Sequence, residues 1–277
     1  MKVRIIVDSA ADLTAEIRNR LTVIPLTVIF GERAYSDGVD ISYEEFYQML
    51  ENSDVLPKTS QAGPAQFADY FQPIADAGES AVVITLASKL SGTYQSAVIA
   101  AEDFPNIYVV DSTTATIGMA ILAQRALQMV DAGMDAASIA QALEQEKEDI
   151  RLVAVLDTLE YMKRGGRISK TVAFAGGLLN IKPVIFVQDG AIQLAGKARG
   201  NKQGNTMLVD MMAQFGGMDP DRPYMAGYTG LSDELLQKFL ADSTASWPQP
   251  PVTAGIGSVI GTHAGPGAVA AAFFCKK

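Results

Sequence analysis

Ser91, Gly92 and Thr93 are the first residues whose types and position could do chemistry. They come shortly after the apolar run 81–86 and just before a helical pattern that begins near residue 92. The serine could be a nucleophile, the hydroxyl and amide groups could hold an anion at the start of a helix, or the three residues could form only a turn or a cap. Capping is a common role of serine and threonine at such a place, so this stretch alone leaves all three open.

Other hydroxyl residues occur where strands or loops meet helices. Thr59 and Ser60 precede a predicted helix, and similar residues occur in 7–13 and 110–118. Each of them could be a cap or a turn. Ligands of open α/β sheets bind outside the carboxyl ends of the strands, so several such loops at one edge favour a pocket lined by hydroxyl groups. We expect Thr59 and Ser60 to face the same crevice as Ser91.

His263, the single histidine, lies in GTHAGPGA, which we interpret as a Gly-Pro loop. Such a loop offers no obvious core position, so structural and functional roles are equally open. The order Ser91, Asp111, His263 matches the order of serine, acid and histidine in α/β-hydrolases. Residues 89–93 lack the Gly-x-Ser-x-Gly elbow of those enzymes. A serine-dependent esterase using Ser91 and His263 is therefore kept only as the alternative.

Short β-branched runs alternate with helical patterns throughout the first half of the chain. Helices lie between and after the predicted strands, which cover residues 3–10, 21–30, 80–86 and 107–112. This alternation is typical of βαβ units, in which helices flank a largely parallel sheet. We expect no antiparallel pairing in this half. Ser42, three residues before Glu45, predicts a capping box at the start of one helix.

The pattern changes near residue 150, where we place a domain boundary. Asp189-Gly190 lies between two extended runs and is a strong signal for an antiparallel hairpin. More strands are predicted over 151–158, 223–229 and the end of the chain. The sequence therefore predicts an α/β protein of two domains. Residues 1–150 form a mostly parallel sheet flanked by helices, and residues 151–277 form a mixed α/β domain.

The composition excludes several classes of site. Cys275 is the only cysteine and His263 the only histidine, so cysteine-pair and histidine-rich metal sites are excluded. A net charge of −9 argues against a nucleic-acid partner. An acidic surface without an obvious apolar patch favours a monomer. The chain has no long apolar run and starts without a recognisable secretory signal, so we expect a cytoplasmic protein with a small ligand.

Eight short segments stand in a specific order along the chain: DSAADL, KTSQAGP, SGTYQSA, LEYMKRGGRIS, IKPVI, DG, KARG and GTHAGPGA. In order and approximate spacing they resemble the DegV family, the bacterial fatty-acid-binding proteins. Each segment alone is weak, but the set runs from Asp8 to the last strand. The resemblance implies a two-domain α/β fold that holds one long-chain fatty acid in a tunnel between its domains.

The resemblance also implies a function without catalysis. In members of the family studied for function, the bound acid is presented to a separate fatty acid kinase, which phosphorylates its carboxylate for phospholipid synthesis. Such a carrier is not an enzyme, needs no cofactor and could contact a membrane transiently. Carried over by position, the contacts to the carboxylate would come from Thr59, Ser60, Ser91, Gly92 and Thr93, with His263 and Arg199 near the same headgroup and Arg167 as a weaker candidate.

Two apolar regions are candidates for the tunnel wall. One is the segment 172–181, and the other contains Met207, Met211 and Met212. Methionine side chains adapt to irregular ligands, although packing in a core is their commoner role.

Overall fold

The computed structural model describes residues 2–168 and 180–276. These residues form an α/β fold with three sheets, which confirms the predicted fold class. The strands are β1 (Val3–Asp8), β2 (Thr22–Ile24), β3 (Thr27–Phe30), β4 (Arg33–Ser36), β5 (Lys58–Ser60), β6 (Ser80–Thr85), β7 (Ile107–Asp111), β8 (Ile150–Val155), β9 (Ile181–Gln188), β10 (Ala191–Arg199), β11 (Tyr224–Tyr228), β12 (Val252–Gly255) and β13 (Val269–Phe274). The helices are α1 (Ala15–Arg18), α2 (Tyr43–Asn52), α3 (Pro64–Asp76), α4 (Thr93–Ala101), α5 (Thr116–Asp131), α6 (Ala136–Glu146), α7 (Glu160–Gly165), α8 (Gly200–Gln214), α9 (Glu234–Asp242) and α10 (Ser258–Ala264).

The first sheet is parallel, as the strand–helix alternation predicts. Its strands lie in the order β2-β1-β6-β7, with all neighbouring pairs parallel. Strand β6 is buried along its whole length, as expected for an inner strand that helices cover on both faces. The capping box of Ser42 and Glu45 at the start of α2 is also present, with both of its hydrogen bonds.

A small second sheet corrects one prediction. Strands β4, β3 and β5 form an antiparallel sheet in the first half, where we expected no antiparallel pairing. The predicted extended segment 21–30 is divided at Pro25 into β2, which joins the parallel sheet, and β3, which does not. Gly31, with a φ of 60°, then allows the tight turn from β3 into β4. These strands are too short for their sequence to reveal how they pair.

The third sheet has six strands in the order β10-β9-β8-β13-β11-β12. Its mixed pairing agrees with the pattern predicted for the second half. Asp189 and Gly190 connect β9 and β10 with φ values of 51° and 74°, the left-handed pair that a tight two-residue hairpin requires. The sheet begins with β8 at Ile150, close to the predicted boundary, while the division into domains at that point stays a prediction.

The central strands β8 and β13 of this third sheet are buried on both faces. One face contributes Leu152, Ala154 and Ile185 to a core shared with the first sheet. The other packs with α8 and α9 around Met211, Met212 and other apolar residues. The three candidate methionines of the tunnel wall therefore pack in this second core or against it, and the other candidate segment, 172–181, lies outside the described residues up to residue 179.

Helix α10 was not predicted, and it carries His263. We interpreted GTHAGPGA as a loop, but Ser258–Ala264 is helical and His263 lies in its last turn. Glycine weakens an isolated helix, so this one depends on close packing. A side chain at Gly261 would overlap Phe46 and Tyr47 of α2, and the Tyr47 hydroxyl donates to the carbonyl oxygen of Ile256 at 2.7 Å.

Replacing Gly265 with alanine should destabilise the fold by about 3 kcal/mol. Gly265 caps α10 with a φ of 71°, and a Cβ there would overlap the ring of Tyr161. Gly78→Ala is a control for the cost of a positive φ, because Gly78 has a φ of 64° and open space around it. Urea denaturation should show a clearly larger loss of unfolding free energy for Gly265→Ala. Equal losses would mean that the contact with Tyr161 is unimportant.

Candidate functional site

A cavity of about 400 Å³ lies between the third sheet, α10 and the loops that follow β2, β6 and β7. Most of its wall is apolar, and that part is formed by Leu26, Leu86, Leu90, Ala115, Leu152, Ala154, Leu156, Met162, Ile185, Val187, Ile192, Ile256, Val259, Ile260, Ala264, Ala268 and Ala270. The polar part is formed by Thr59, Ser60, Gln61, Ser91, Gly92, Thr116, Arg167 and His263. The cavity thus combines a long apolar wall with a few polar groups.

Four separate elements bring the polar residues together. Thr59 and Ser60 lie on the edge strand β5, Ser91 and Gly92 directly precede α4, Arg167 follows α7, and His263 ends α10. The predicted convergence of Thr59, Ser60 and Ser91 on one crevice is therefore seen in the structure. These elements come from distant parts of the chain, and only the fold places them side by side.

Two hydrogen bonds with Thr93 orient the hydroxyl group of Ser91. Its Oγ lies 2.8 Å from Oγ1 of Thr93 and accepts the backbone N–H of Thr93 at 3.3 Å. Thr93 is completely buried, and its hydroxyl proton therefore needs an acceptor within the protein. We infer that the Thr93 hydroxyl donates to Oγ of Ser91. Ser91 then accepts two hydrogen bonds, and its proton is left for a ligand.

A similar hydrogen bond orients Thr59. Nε2 of His263 lies 2.9 Å from Oγ1 of Thr59, whereas the buried Nδ1 has no hydrogen-bond partner among the described residues. A buried N–H without a partner costs more than a bare acceptor, so the ring proton belongs on Nε2. The histidine then donates to Thr59, whose own proton can point into the cavity.

The imidazole of His263 is neutral at physiological pH. Burial, with a smaller effect of the nearby Arg167 guanidinium, lowers the pKa of His263 to about 4. The ring also packs tightly against Gly165, where a side chain would overlap it. His263 therefore acts as a fixed hydrogen-bond donor and not as a charge.

Arg167 supplies a positive charge to the same end of the cavity. Its guanidinium donates to the carbonyl oxygens of Leu90 at 3.2 Å and Gly165 at 2.6 Å, which fixes its position in the wall. The N-terminus of α4 begins beside it, directly after Gly92. Hydroxyl donors, a guanidinium and a helix N-terminus all favour an anion at this end.

Two predicted site residues do not reach the cavity. Thr93 forms a hydrogen bond with Ser91 but does not itself line the cavity. Arg199 is exposed at the end of β10, where its backbone N–H bonds to the side chain of Gln203. The structure therefore does not place Arg199 near a headgroup in this cavity. The KARG motif could not reveal this, because its position depends on how the β9–β10 hairpin lies.

Gln61 is a polar lining residue that we did not predict. Its side chain lies across Gly92, where a Cβ would overlap it, and donates to Ser96 of α4 at 2.9 Å. Its place in the sequence, directly after Thr59 and Ser60, was a usable signal. The close contact also explains why residue 92 is a glycine.

The hydrogen bonds of a serine hydrolase are not formed. His263 bonds to Thr59, and Ser91 bonds to Thr93. Oδ1 of Asp111 accepts the backbone N–H groups of Ser88 and Thr113. Among the described residues, the structure shows no hydrogen-bond chain from Ser91 through His263 to a carboxylate.

Comparison with known proteins settles the family. The family model that matches residues 2–276 is that of the DegV family. The chain belongs to this family. A DegV domain-containing protein of Caldanaerobacter subterraneus subsp. tengcongensis is 35% identical, with 100% of this chain and 99% of the relative covered. The predicted resemblance is thereby confirmed over nearly the whole chain.

Two proteins that bind fatty acids and have solved structures share this fold. A fatty-acid-binding DegV family protein of Thermus thermophilus is 28% identical with a TM-score of 0.88, covering 99% of this chain and 100% of that one. A stearic-acid-binding protein of Eubacterium ventriosum is 29% identical with a TM-score of 0.84, covering 98% of both chains. Fatty-acid binding is therefore a property of structurally similar members of the DegV family.

Residues 2–168 and 180–276 contain neither a membrane-spanning helix nor a metal-binding cluster. None of the helices in this part of the chain is long and apolar enough to cross a bilayer. The same residues contain no group of three or more histidine, cysteine or acidic side chains that could hold a metal ion.

Proposed function

We propose that this protein binds one long-chain fatty acid in the cavity, with the carboxylate between Thr59 and Ser91. The observation that carries the proposal is the division of the wall into an apolar part and a polar end with two hydroxyl donors and Arg167. A carboxylate only accepts hydrogen bonds, and this end offers donors and a positive charge. A buried carboxylate without them would be costly.

The apolar wall provides the larger share of the binding energy. Each buried methylene contributes about 0.8 kcal/mol, so a chain of roughly sixteen carbons gains on the order of 12 kcal/mol before entropy costs. The headgroup contacts then set the orientation of the ligand. Small residues such as Ala154 and Ala270 leave the space that an acyl chain needs.

We further propose that the protein presents the carboxylate to a separate fatty acid kinase in the cytoplasm. The polar end of the cavity includes Ser60 and Gln61, both exposed to solvent, so a partner could approach the headgroup there. The kinase would phosphorylate the carboxylate with ATP, and the carrier would contribute binding and orientation only. His263 and Ser91 would hold the substrate and not attack it.

Native mass spectrometry tests the binding proposal. Purified protein mixed with palmitate or oleate should show a one-to-one complex, while octanoate should bind far more weakly because fewer methylenes are buried. Absence of any complex with a long-chain acid would contradict the proposal.

The same preparation should not hydrolyse p-nitrophenyl palmitate, and turnover abolished by both Ser91→Ala and His263→Ala would support the esterase instead. Acyl phosphate should form from the bound acid and ATP only after a fatty acid kinase is added.

A further inference from the structure

Asp12 joins the beginnings of two helices from different parts of the chain. It follows β1 and is buried, with 6% of its surface exposed. One oxygen, Oδ2, accepts the hydroxyl of Thr116, the first residue of α5, at 2.5 Å. The other, Oδ1, accepts the backbone N–H of Gly257, the N-cap of α10, at 2.7 Å. One carboxylate thus connects the first half of the chain to its C-terminal helix.

Both of these helices form part of the cavity wall. Thr116 of α5 lines it, as do Ile256 beside α10 and Val259 and His263 within it. Since α10 is short, the anchor at its first turn also fixes its last turn, where His263 meets Thr59. The hydrogen bonds of Asp12 therefore act on the wall and on the polar end of the cavity together.

The backbone of Thr116 is strained in a way that its bond to Asp12 helps to explain. Thr116 has a φ of 50°, a left-handed conformation that is rare for a β-branched residue. Such conformations persist where surrounding contacts hold them, and they often occur at functional sites. Here the contacts are the hydroxyl bond to Asp12 and the backbone bond from Thr116 to the carbonyl oxygen of Ala10 at 3.0 Å.

We propose that Asp12 is a positioning residue of the cavity, whose carboxylate holds the first turns of α5 and α10 and whose protonation controls how fast a bound ligand exchanges. The inference rests on the proposed function, because it concerns exchange of a fatty acid from this cavity. Asp12 does not line the cavity and would not touch the ligand.

Several charged groups surround Asp12. Asp37, which accepts the hydroxyl of Ser258 in α10, repels it, and Arg18 of α1 attracts it. Tyr43 and Tyr47 of α2 lie near enough for Asp12 to raise their pKa values. Asp8, a further buried carboxyl, interacts with Asp37 and bonds to the backbone N–H groups of Ala10 and Leu86.

Burial raises the pKa of Asp12 to about 7, against smaller opposing effects of its bonds to Thr116 and Gly257. Between its unfolded value of 3.8 and about 7, the folded state therefore binds the proton more tightly. The contribution of Asp12 to the free energy of unfolding must fall as pH rises through this range. The ionised carboxylate nevertheless forms the stronger hydrogen bonds. Lowering the pH should thus loosen the anchor while stabilising the protein as a whole.

Exchange of bound palmitate for deuterated palmitate, followed by native mass spectrometry, tests the inference. Between about pH 8 and about pH 6 the wild-type exchange rate should rise about tenfold, as charge-assisted bonds become neutral ones. Asp12→Asn mimics the protonated form and keeps an acceptor for Gly257. It should exchange about tenfold faster at about pH 8, keep only the smaller dependence on pH that Asp37 at Ser258 of α10 leaves, and unfold at a higher temperature than wild type.

Two other variants complete the test. Thr116→Val keeps the shape but removes the donor, so it should also speed exchange and should add little in combination with Asp12→Asn. Asp8→Asn is the matched control, because Asp8 is a buried carboxyl without a bond to α5 or α10, and burial raises its pKa to about 6. It should keep most of the pH dependence of exchange.

The outcomes separate this inference from the proposed function. If wild type takes up no palmitate, the proposed function fails and this inference fails with it. If palmitate binds but wild type and Asp12→Asn exchange it at equal rates, the inference alone is overturned. The inference alone is also overturned if Asp12→Asn exchanges palmitate faster but unfolds at a lower temperature than wild type, as a generally weakened fold would.

Discussion

An Ala154→Leu variant should bind palmitate about fiftyfold more weakly than wild type, while keeping its affinity for a shorter acid. Ala154 of β8 lies opposite Ala270 of β13, and both line the cavity. Leucine adds about three methyl-sized groups to a space that the ligand would fill, so the bound acid should lose about three methylenes, or about 2.4 kcal/mol. Titration with saturated acids of increasing length would measure the effect.

Ala270→Leu should act in the same way, because the two alanines are cross-strand neighbours on one face. Ala137→Leu is the control, since Ala137 is exposed on α6 and does not line the cavity. Both cavity variants should remain folded, as the added side chain enters existing space. If the preferred chain length does not change in either variant, the acyl chain does not pass over this pair.

Removing the hydroxyl groups of Ser91 and Thr59 should weaken carboxylate binding by about 2 kcal/mol for each group, or about thirtyfold. Ser91→Ala and Thr59→Val change the shapes of the side chains little, but each also removes the acceptor of a neighbour, Thr93 or His263. Each hydroxyl is already oriented by a neighbour, Thr93 in one case and His263 in the other. Isothermal titration with palmitate would give the affinities of the single and double variants.

Binding of methyl palmitate distinguishes the contribution of the headgroup contacts from that of the apolar wall. The ester has no negative charge, so it depends much less on the two hydroxyl donors. The variants should therefore bind the ester nearly as wild type does. An equal loss for ester and acid would show that the substitutions damaged the apolar wall and that the donors are not specific to a carboxylate.

The elements with strong local signals could be predicted from the sequence. The capping box at Ser42 and the hairpin at Asp189-Gly190 depend on neighbouring residues, and both are present. Helix α10 could not be predicted, because Gly261 in its middle disfavours a helix and it is stabilised by Tyr47, more than two hundred residues away in sequence. The sheet β4-β3-β5 was missed for a related reason, since the pairing of short strands depends on tertiary contacts.

The polar end of the site was more predictable than its apolar wall. Thr59, Ser60, Ser91 and His263 are conspicuous residue types in loop-like sequence, whereas Arg199 shows that a basic motif does not reveal its own location. The wall includes alternate residues of β8 and β9. Both faces of these strands are buried, so the alternation that marks one face is absent from the sequence.

The most direct test of the central claim is a crystal structure of the protein grown with palmitate. The account predicts the carboxylate within about 3.2 Å of Oγ1 of Thr59 and Oγ of Ser91, with the acyl chain lying over Ala154 and Ala270. A carboxylate far from both hydroxyl groups, or a palmitate bound outside this cavity, would contradict it.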